Sequence, residues 1–117
     1  MFLVHQTKDF DELREAQIGW DLFYRLLSPG EFRSSLWIES GAKMQFDYEF
    51  WNQSVEIQGT SHPENYSFVF SACRDRSFFI NGQNVDGRSL VSLPPGIEIH
   101  AITGDVGALC SVSLDIT

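Results

Sequence analysis

Residues 42–51 read Ala-Lys-Met-Gln-Phe-Asp-Tyr-Glu-Phe-Trp, a run in which apolar and polar side chains alternate almost without fault. Successive residues of an extended chain point to opposite faces. Ala42, Met44, Phe46, Tyr48 and Phe50 therefore share one side, and Lys43, Gln45, Asp47, Glu49 and Trp51 the other. Taken alone, the run predicts a β-strand with its aromatic set toward a core and its polar set mainly toward solvent.

The same texture continues in both directions as short alternating runs separated by turn signals, the pattern of a sandwich or barrel. Upstream, Ser40-Gly41 separates the run from residues 32–39, where Ser34, Leu36 and Ile38 oppose Arg33, Ser35, Trp37 and Glu39. Before the Ser28-Pro29-Gly30 turn, residues 20–27 carry Trp20, Leu22, Tyr24 and Leu26 on one face. Downstream, a brief strand at Ser54–Ile57 stops at Gly59, and Pro63 holds His62 out of helical conformation in a loop. Tyr66, Phe68, Phe70 and Ala72 then align on one face of residues 65–73.

Phe78–Ile80 runs into Asn81-Gly82, a tight-turn pair that tolerates positive φ. Asp86-Gly87 makes a further turn before Leu90–Leu93, and Pro94-Pro95-Gly96 redirects the chain into residues 97–103. Residues 106–116 close the sequence with Val106, Ala108, Cys110, Val112, Leu114 and Ile116 in step. The total is about eight or nine short antiparallel strands, within the range of a jelly roll or small barrel. Ahead of them Asp9 and Glu12 resemble a capping box, with Phe10, Leu13 and Ala16 or Gln17 on one face. A short helix over residues 9–16, ended by Gly19, is predicted. The expected fold is all-β with one short N-terminal helix, in a single domain spanning residues 1–117.

A chain of 117 residues that is 43% hydrophobic buries enough surface to fold without metal or disulfide staples. Ten Phe, three Tyr and three Trp suit pleated, half-buried surfaces. The net charge of −8, from 16 acidic and 8 basic residues, repels phosphate backbones, so no direct nucleic-acid contact is expected from this segment. The N-terminus lacks a basic, apolar signal sequence, and no apolar run reaches membrane-spanning length. The Asn52-Gln-Ser and Asn65-Tyr-Ser matches to the glycosylation pattern then count as chance, and the expected location is cytoplasmic with free thiols.

The chemistry-bearing residues are sparse. His5, His62 and His100 are scattered, with no spacing that brings two onto one metal, so no metal site is expected. No nucleophile elbow, phosphate-binding glycine loop or dinucleotide fingerprint is present, and neither catalytic residues nor a cofactor is expected. Cys73 beside Arg74 and Arg76 reads as a strand-end cysteine rather than an activated thiol, and Cys110 as core. Asp47 and Glu49 share a face that could serve paired-carboxylate chemistry, but a solvated exterior is the simpler reading. The aromatic set is more suggestive. Phe46, Tyr48, Tyr66, Phe68, Phe70 and Phe78, with Phe50, form an interior that either packs solidly or lines a ligand pocket. In the second case they are the candidate ligand-binding residues, and Tyr48 and Tyr66 need partners for buried hydroxyls. Trp37 and Trp51, off the apolar phase, mark either an interaction surface or packing beneath the helix or a second sheet.

Trp20-x-x-x-Tyr24-x-x-Leu27-Ser28-Pro29-Gly30-x-Phe32 resembles the opening of the sensor domains of AraC-type transcriptional regulators, a class that includes the ethanolamine-utilisation regulator. The likeness continues through Met44–Trp51, Tyr66–Phe70, Asn81-Gly82 and Leu93–Gly96, covering about residues 17–116. It implies a cupin-like β-sandwich that senses a small-molecule effector and often helps to form a homodimer. In full-length members, helices and a pair of helix-turn-helix motifs follow, and this sequence holds neither. Effector contacts vary within the class, so none carries over to a residue here. The alternative is a free-standing cupin-like interaction module without a ligand pocket; an enzyme of cupin type requires a bound transition metal.

Overall fold

The computed structural model describes residues 2–17, 19–72, 76–104 and 107–115, the side chains of Phe2, Leu3 and His5 excepted. Cys73, Arg74, Val106 and Ile116, which figure in the sequence reading, lie outside the described residues.

The chain starts with strand β1 (Phe2–Thr7) and helix α1 (Phe10–Ala16). Asp9 caps the helix by accepting from the Asp11 N–H at 2.8 Å, and Leu13 is its fully buried contact with the core. The capping box is half formed, because the Glu12 carboxylate accepts the Thr7 hydroxyl at 2.6 Å instead of reaching back to Asp9. Then follow β2 (Asp21–Leu26), β3 (Ser34–Ser40), β4 (Met44–Trp51), β5 (Val55–Thr60), β6 (Asn65–Ser71) and β7 (Phe78–Ile80). The last are β8 (Gln83–Val85), β9 (Val91–Leu93), β10 (Glu98–Thr103) and β11 (Gly107–Asp115). Asn81 and Gly82, at φ 49° and 81°, form the expected two-residue turn between β7 and β8.

Two antiparallel sheets result, one of six strands in the order β1-β3-β4-β11-β6-β9 and one of five in the order β2-β5-β10-β7-β8. The all-β sandwich expected from the alternation is thus present. Two strands were not read from the sequence. β1 carries no clean alternation, and β8, Gln-Asn-Val, gains its place from pairing with β7 rather than from propensity. Between the sheets Leu22, Leu36, Ile38, Trp51, Val55, Ile57, Val69, Phe78, Ile80 and Ile99 form the core.

The inward faces of β2 and β3 agree with the sequence reading, but β4, β6 and β11 present the opposite faces from those expected. Gln45, Asp47, Glu49 and Trp51 are buried, whereas Met44 and Phe46 are exposed and Tyr48 and Phe50 half-buried. Pairing explains the inversion. Leu36 lies opposite Glu49 and Ile38 opposite Asp47, and directly paired residues share a face. Leu36 and Ile38 are fully buried, so the two acids must face the interior with them. β11 follows in register, with Ser111 and Ser113 opposite Asp47 and Gln45, and β6 contributes Ser67, Val69 and Ser71 to the same side. Cys110, expected in the core, instead sits on the outward side of the central strand, buried beneath its neighbours Tyr48 and Phe70.

At Gly59 the five-stranded sheet leaves no room for a side chain. Gly59 sits opposite Leu22 at φ 158°, and a Cβ there would collide with the Asp21 carbonyl oxygen. Gly59→Ala is therefore expected to force β2 off β5 and destabilise the protein by about 2 kcal/mol, measurable as a lower midpoint in urea unfolding. An unchanged midpoint would show that the two strands have slack at this position.

Candidate functional site

The inversion of β4 gathers a polar cluster inside the sandwich. Glu49 is at its centre. Its Oε1 accepts the Tyr24 hydroxyl at 2.8 Å and the Trp51 indole N–H at 3.0 Å, and its Oε2 accepts the Gln17 amide at 3.0 Å. Gln17 also donates to the Tyr24 hydroxyl at 2.9 Å. Two residues along the strand, Asp47 accepts the Gln45 amide at 3.0 Å and the Ser111 hydroxyl at 3.3 Å. Gln17 comes from the end of α1, Tyr24 from the five-stranded sheet, and the others from the six-stranded sheet, so the cluster ties three elements together.

Burial pushes the Glu49 carboxyl up to about 7, against the three hydrogen bonds that favour its charged form, and the neighbouring Asp47 charge adds to the rise. Burial likewise raises Asp47 to about 6, opposed by Gln45 and Ser111. The Tyr24 hydroxyl is held well above the ordinary tyrosine value by burial and then by the Glu49 charge. Both acids thus change charge within the neutral range.

Gln17, Tyr24, Asp47, Glu49, Trp51 and Ser111 line a cavity of about 70 Å³ between the sheets. Its walls are otherwise apolar, supplied by Leu22, Ile57, Ile80 and Ile99 on one side and Val69, Leu93 and Leu109 on the other. Trp20, in the link from α1 to β2, also faces it, and its buried indole N–H has no acceptor among the described residues. An interior of this kind, mostly apolar with a few converging polar groups, is the usual form of a small-molecule site.

Of the residues expected to line a pocket, only Phe78 does so. Phe46, Tyr48, Tyr66, Phe68 and Phe70 are brought together, but on the outer face of the six-stranded sheet, and their expected inward orientation is corrected by the strand register. There Tyr66 packs on Phe68 at 5.4 Å between ring centroids, and Trp37 on Tyr48 at 6.0 Å. Asp47 and Glu49, read as solvated, are the buried polar centre. The off-phase Trp51 was the available signal, since a large aromatic in the polar phase argues that this phase is not facing water. Trp51 is packed between the sheets, whereas Trp37 is 47% exposed.

His100 pairs with Glu56 at 2.9 Å on the surface, and the His62 ring accepts the Glu64 N–H at 3.2 Å. Among the described residues no three His, Cys, Asp or Glu side chains converge as a metal-binding set, and no helix is long and apolar enough to cross a membrane.

No family model and no curated protein matches the sequence. Solved structures do. The AraC-like transcriptional activator CuxR superposes with a TM-score of 0.66 at 9% identity, over 98% of this chain and 47% of its own. The chain thus spans about half the length of CuxR. The fold is a cupin-type β-sandwich. A putative ethanolamine utilization protein q from Salmonella typhimurium LT2 shares it (TM-score 0.53, 11% identity, 77% of this chain and 74% of that one). So does a predicted oxalate decarboxylase from Thermotoga maritima (TM-score 0.50, 16% identity, 80% of this chain and 92% of that one). Proteins of this fold therefore include both a regulator and a protein described as an enzyme, and the fold alone does not choose between them.

Proposed function

We propose that this chain is a non-catalytic, effector-sensing domain of an AraC-type transcriptional regulator, with the effector held in the cavity between the sheets. One observation carries the reading: a hydrogen-bonded Glu49–Tyr24–Gln17–Trp51 cluster, with Asp47 and the unpaired Trp20 N–H, facing an otherwise apolar cavity. The likeness in fold to CuxR over nearly the whole chain supports the regulator context. Gln17 and Trp20 flank the end of α1, so a ligand touching them acts on the joint between helix and sandwich. Such a ligand shifts an equilibrium between two arrangements of this joint by its difference in affinity for them and no more. A thermal-shift screen with amino alcohols, sugars, aromatic acids and fatty acids tests the reading. At least one class is expected to raise the melting temperature, and silence from all of them rejects it.

The outer face of the six-stranded sheet favours a second role as a homodimer interface. Phe46, Tyr48, Phe68, Phe70, Cys110 and Val112 lie side by side across β4, β11 and β6. Contiguous apolar surface of this kind marks an interaction site. On a chain of net charge −8, it offers a second copy an uncharged place to dock. Phe46→Glu is expected to weaken self-association about tenfold or more in analytical ultracentrifugation, because two buried charges would oppose across the two-fold axis. A wild type that sediments as a monomer at all concentrations removes the interface. The domain is expected to act in the cytoplasm and to make no contact with nucleic acid itself.

A further inference from the structure

Among the described residues, two acids and no base line the cavity. No Lys, Arg or His is among the described residues that line it, although Asp47 and Glu49 are respectively only 6% and 9% exposed. Their hydrogen bonds come from neutral donors: Gln45 and Ser111 for Asp47, and Gln17, Tyr24 and Trp51 for Glu49. Neutral donors favour the charged form but do not cancel its charge. A buried carboxylate lacking a cation is a costly arrangement, and two on one face of one strand compound it. The Trp20 indole N–H supplies the complementary deficit, a buried donor without an acceptor among the described residues.

Resting on the proposal that this cavity is a ligand site, we infer that its ligand is a small organic cation, an ammonium compound carrying one hydrogen-bond-accepting oxygen. The ammonium group sits against Asp47 and Glu49, the oxygen accepts from Trp20, and a short apolar stem crosses the hydrophobic walls. The rings of Trp20, Trp51 and Tyr24 add cation–π attraction for the same charge. The cavity volume is about 70 Å³. An apolar cavity of about 150 Å³ holds benzene, so the ligand here is a molecule of a few non-hydrogen atoms. Binding of the cation holds both acids ionised, and protons are released from whichever acid was protonated. Affinity therefore falls as the pH drops below the range in which these acids titrate.

Four probes of nearly equal size separate the possibilities by isothermal titration calorimetry on the full chain. They are 3-aminopropan-1-ol, propylammonium, propane-1,3-diol and 3-hydroxypropanoate. The amino alcohol is expected to bind about tenfold or more tighter than the diol, the value of one charge-assisted contact. Glu49→Gln is expected to abolish that preference. Trp20→Phe is expected to weaken the amino alcohol toward the level of propylammonium, and to weaken propylammonium itself much less, by the difference in cation–π attraction alone. Circular dichroism verifies that both variants are folded, and Asp47→Asn gives a second charge-removing variant if Glu49→Gln is not. Equal or tighter binding of the diol or the hydroxy acid overturns the cation assignment and leaves the site standing. Silence from all four, with the broader screen also silent, removes the site itself.

Discussion

Trp51→Ala is expected to be among the most damaging single substitutions in this protein, costing about 4 kcal/mol. Trp51 is the largest fully buried side chain, wedged between the sheets at the end of β4. Its ring covers Gly107, its partner on β11, where a Cβ would stand only 3.0 Å from the ring. Truncation to alanine leaves a void that neither rigid sheet closes, and Glu49 loses one of three donors while remaining buried. For a domain of this size the melting temperature should fall by roughly 15 °C. Trp51→Phe separates the two contributions in large part, because it keeps most of the ring volume, losing the N–H and a smaller share of the packing. Its cost should be about 1–2 kcal/mol, the value of one hydrogen bond to a buried acceptor. If the two variants unfold at the same urea concentration, filling the space contributes little and the indole N–H carries the whole effect.

The same residue shows what could and could not be read in advance. Because period and turn chemistry are local properties, the alternation of residues 42–51 announced the strand, its end at Trp51 and the antiparallel partnership across Ser40-Gly41, though the strand starts at Met44 rather than Ala42. Which side faces inward is not local. Judged alone, Met44, Phe46, Tyr48 and Phe50 are a better core face than Gln45, Asp47, Glu49 and Trp51. The decision came from β3, whose Leu36 and Ile38 are fully buried, opposite the face of Ser35, Trp37 and Glu39, and which fixes β4 through register. Three adjacent strands then turned over together. The aromatic residues expected to line the pocket went to the outer face, and the acids expected outside became the candidate site. A strand with both faces partly covered carries no reliable polarity signal, and here one face meets the core while the other offers an uncharged surface for association.

The buried acids lead to the second large effect, a dependence of stability on pH to which Glu49 and Asp47 contribute in similar measure. The Glu49 carboxyl rises from 4.5 to about 7 on folding, and that of Asp47 from 3.8 to about 6. A group whose value is raised by folding stabilises the protein fully below its unfolded value and loses that contribution as the pH rises through its folded value. Stability should therefore decline from about pH 4 to about pH 8, with Glu49 and Asp47 each accounting for roughly 3 kcal/mol at about 1.4 kcal/mol per pH unit. Glu31, Glu56 and Asp86 act with the opposite sign, since Lys8, His100 and the Arg88 N–H respectively hold them below their usual range. Their contribution is lost only on acidification below about pH 4.5, so it leaves the neutral window untouched. Glu49→Gln replaces a titrating acceptor with one that keeps an oxygen for Tyr24 and Trp51 and never ionises. At about pH 8 the variant should match or exceed the wild type in urea unfolding, whereas at about pH 4.5 it should have no advantage, because the protonated acid is then equally neutral. A wild type whose stability climbs steadily from pH 5 to 8 would mean that Glu49 is already ionised in comfort, with a compensating charge or water reaching it inside the sandwich.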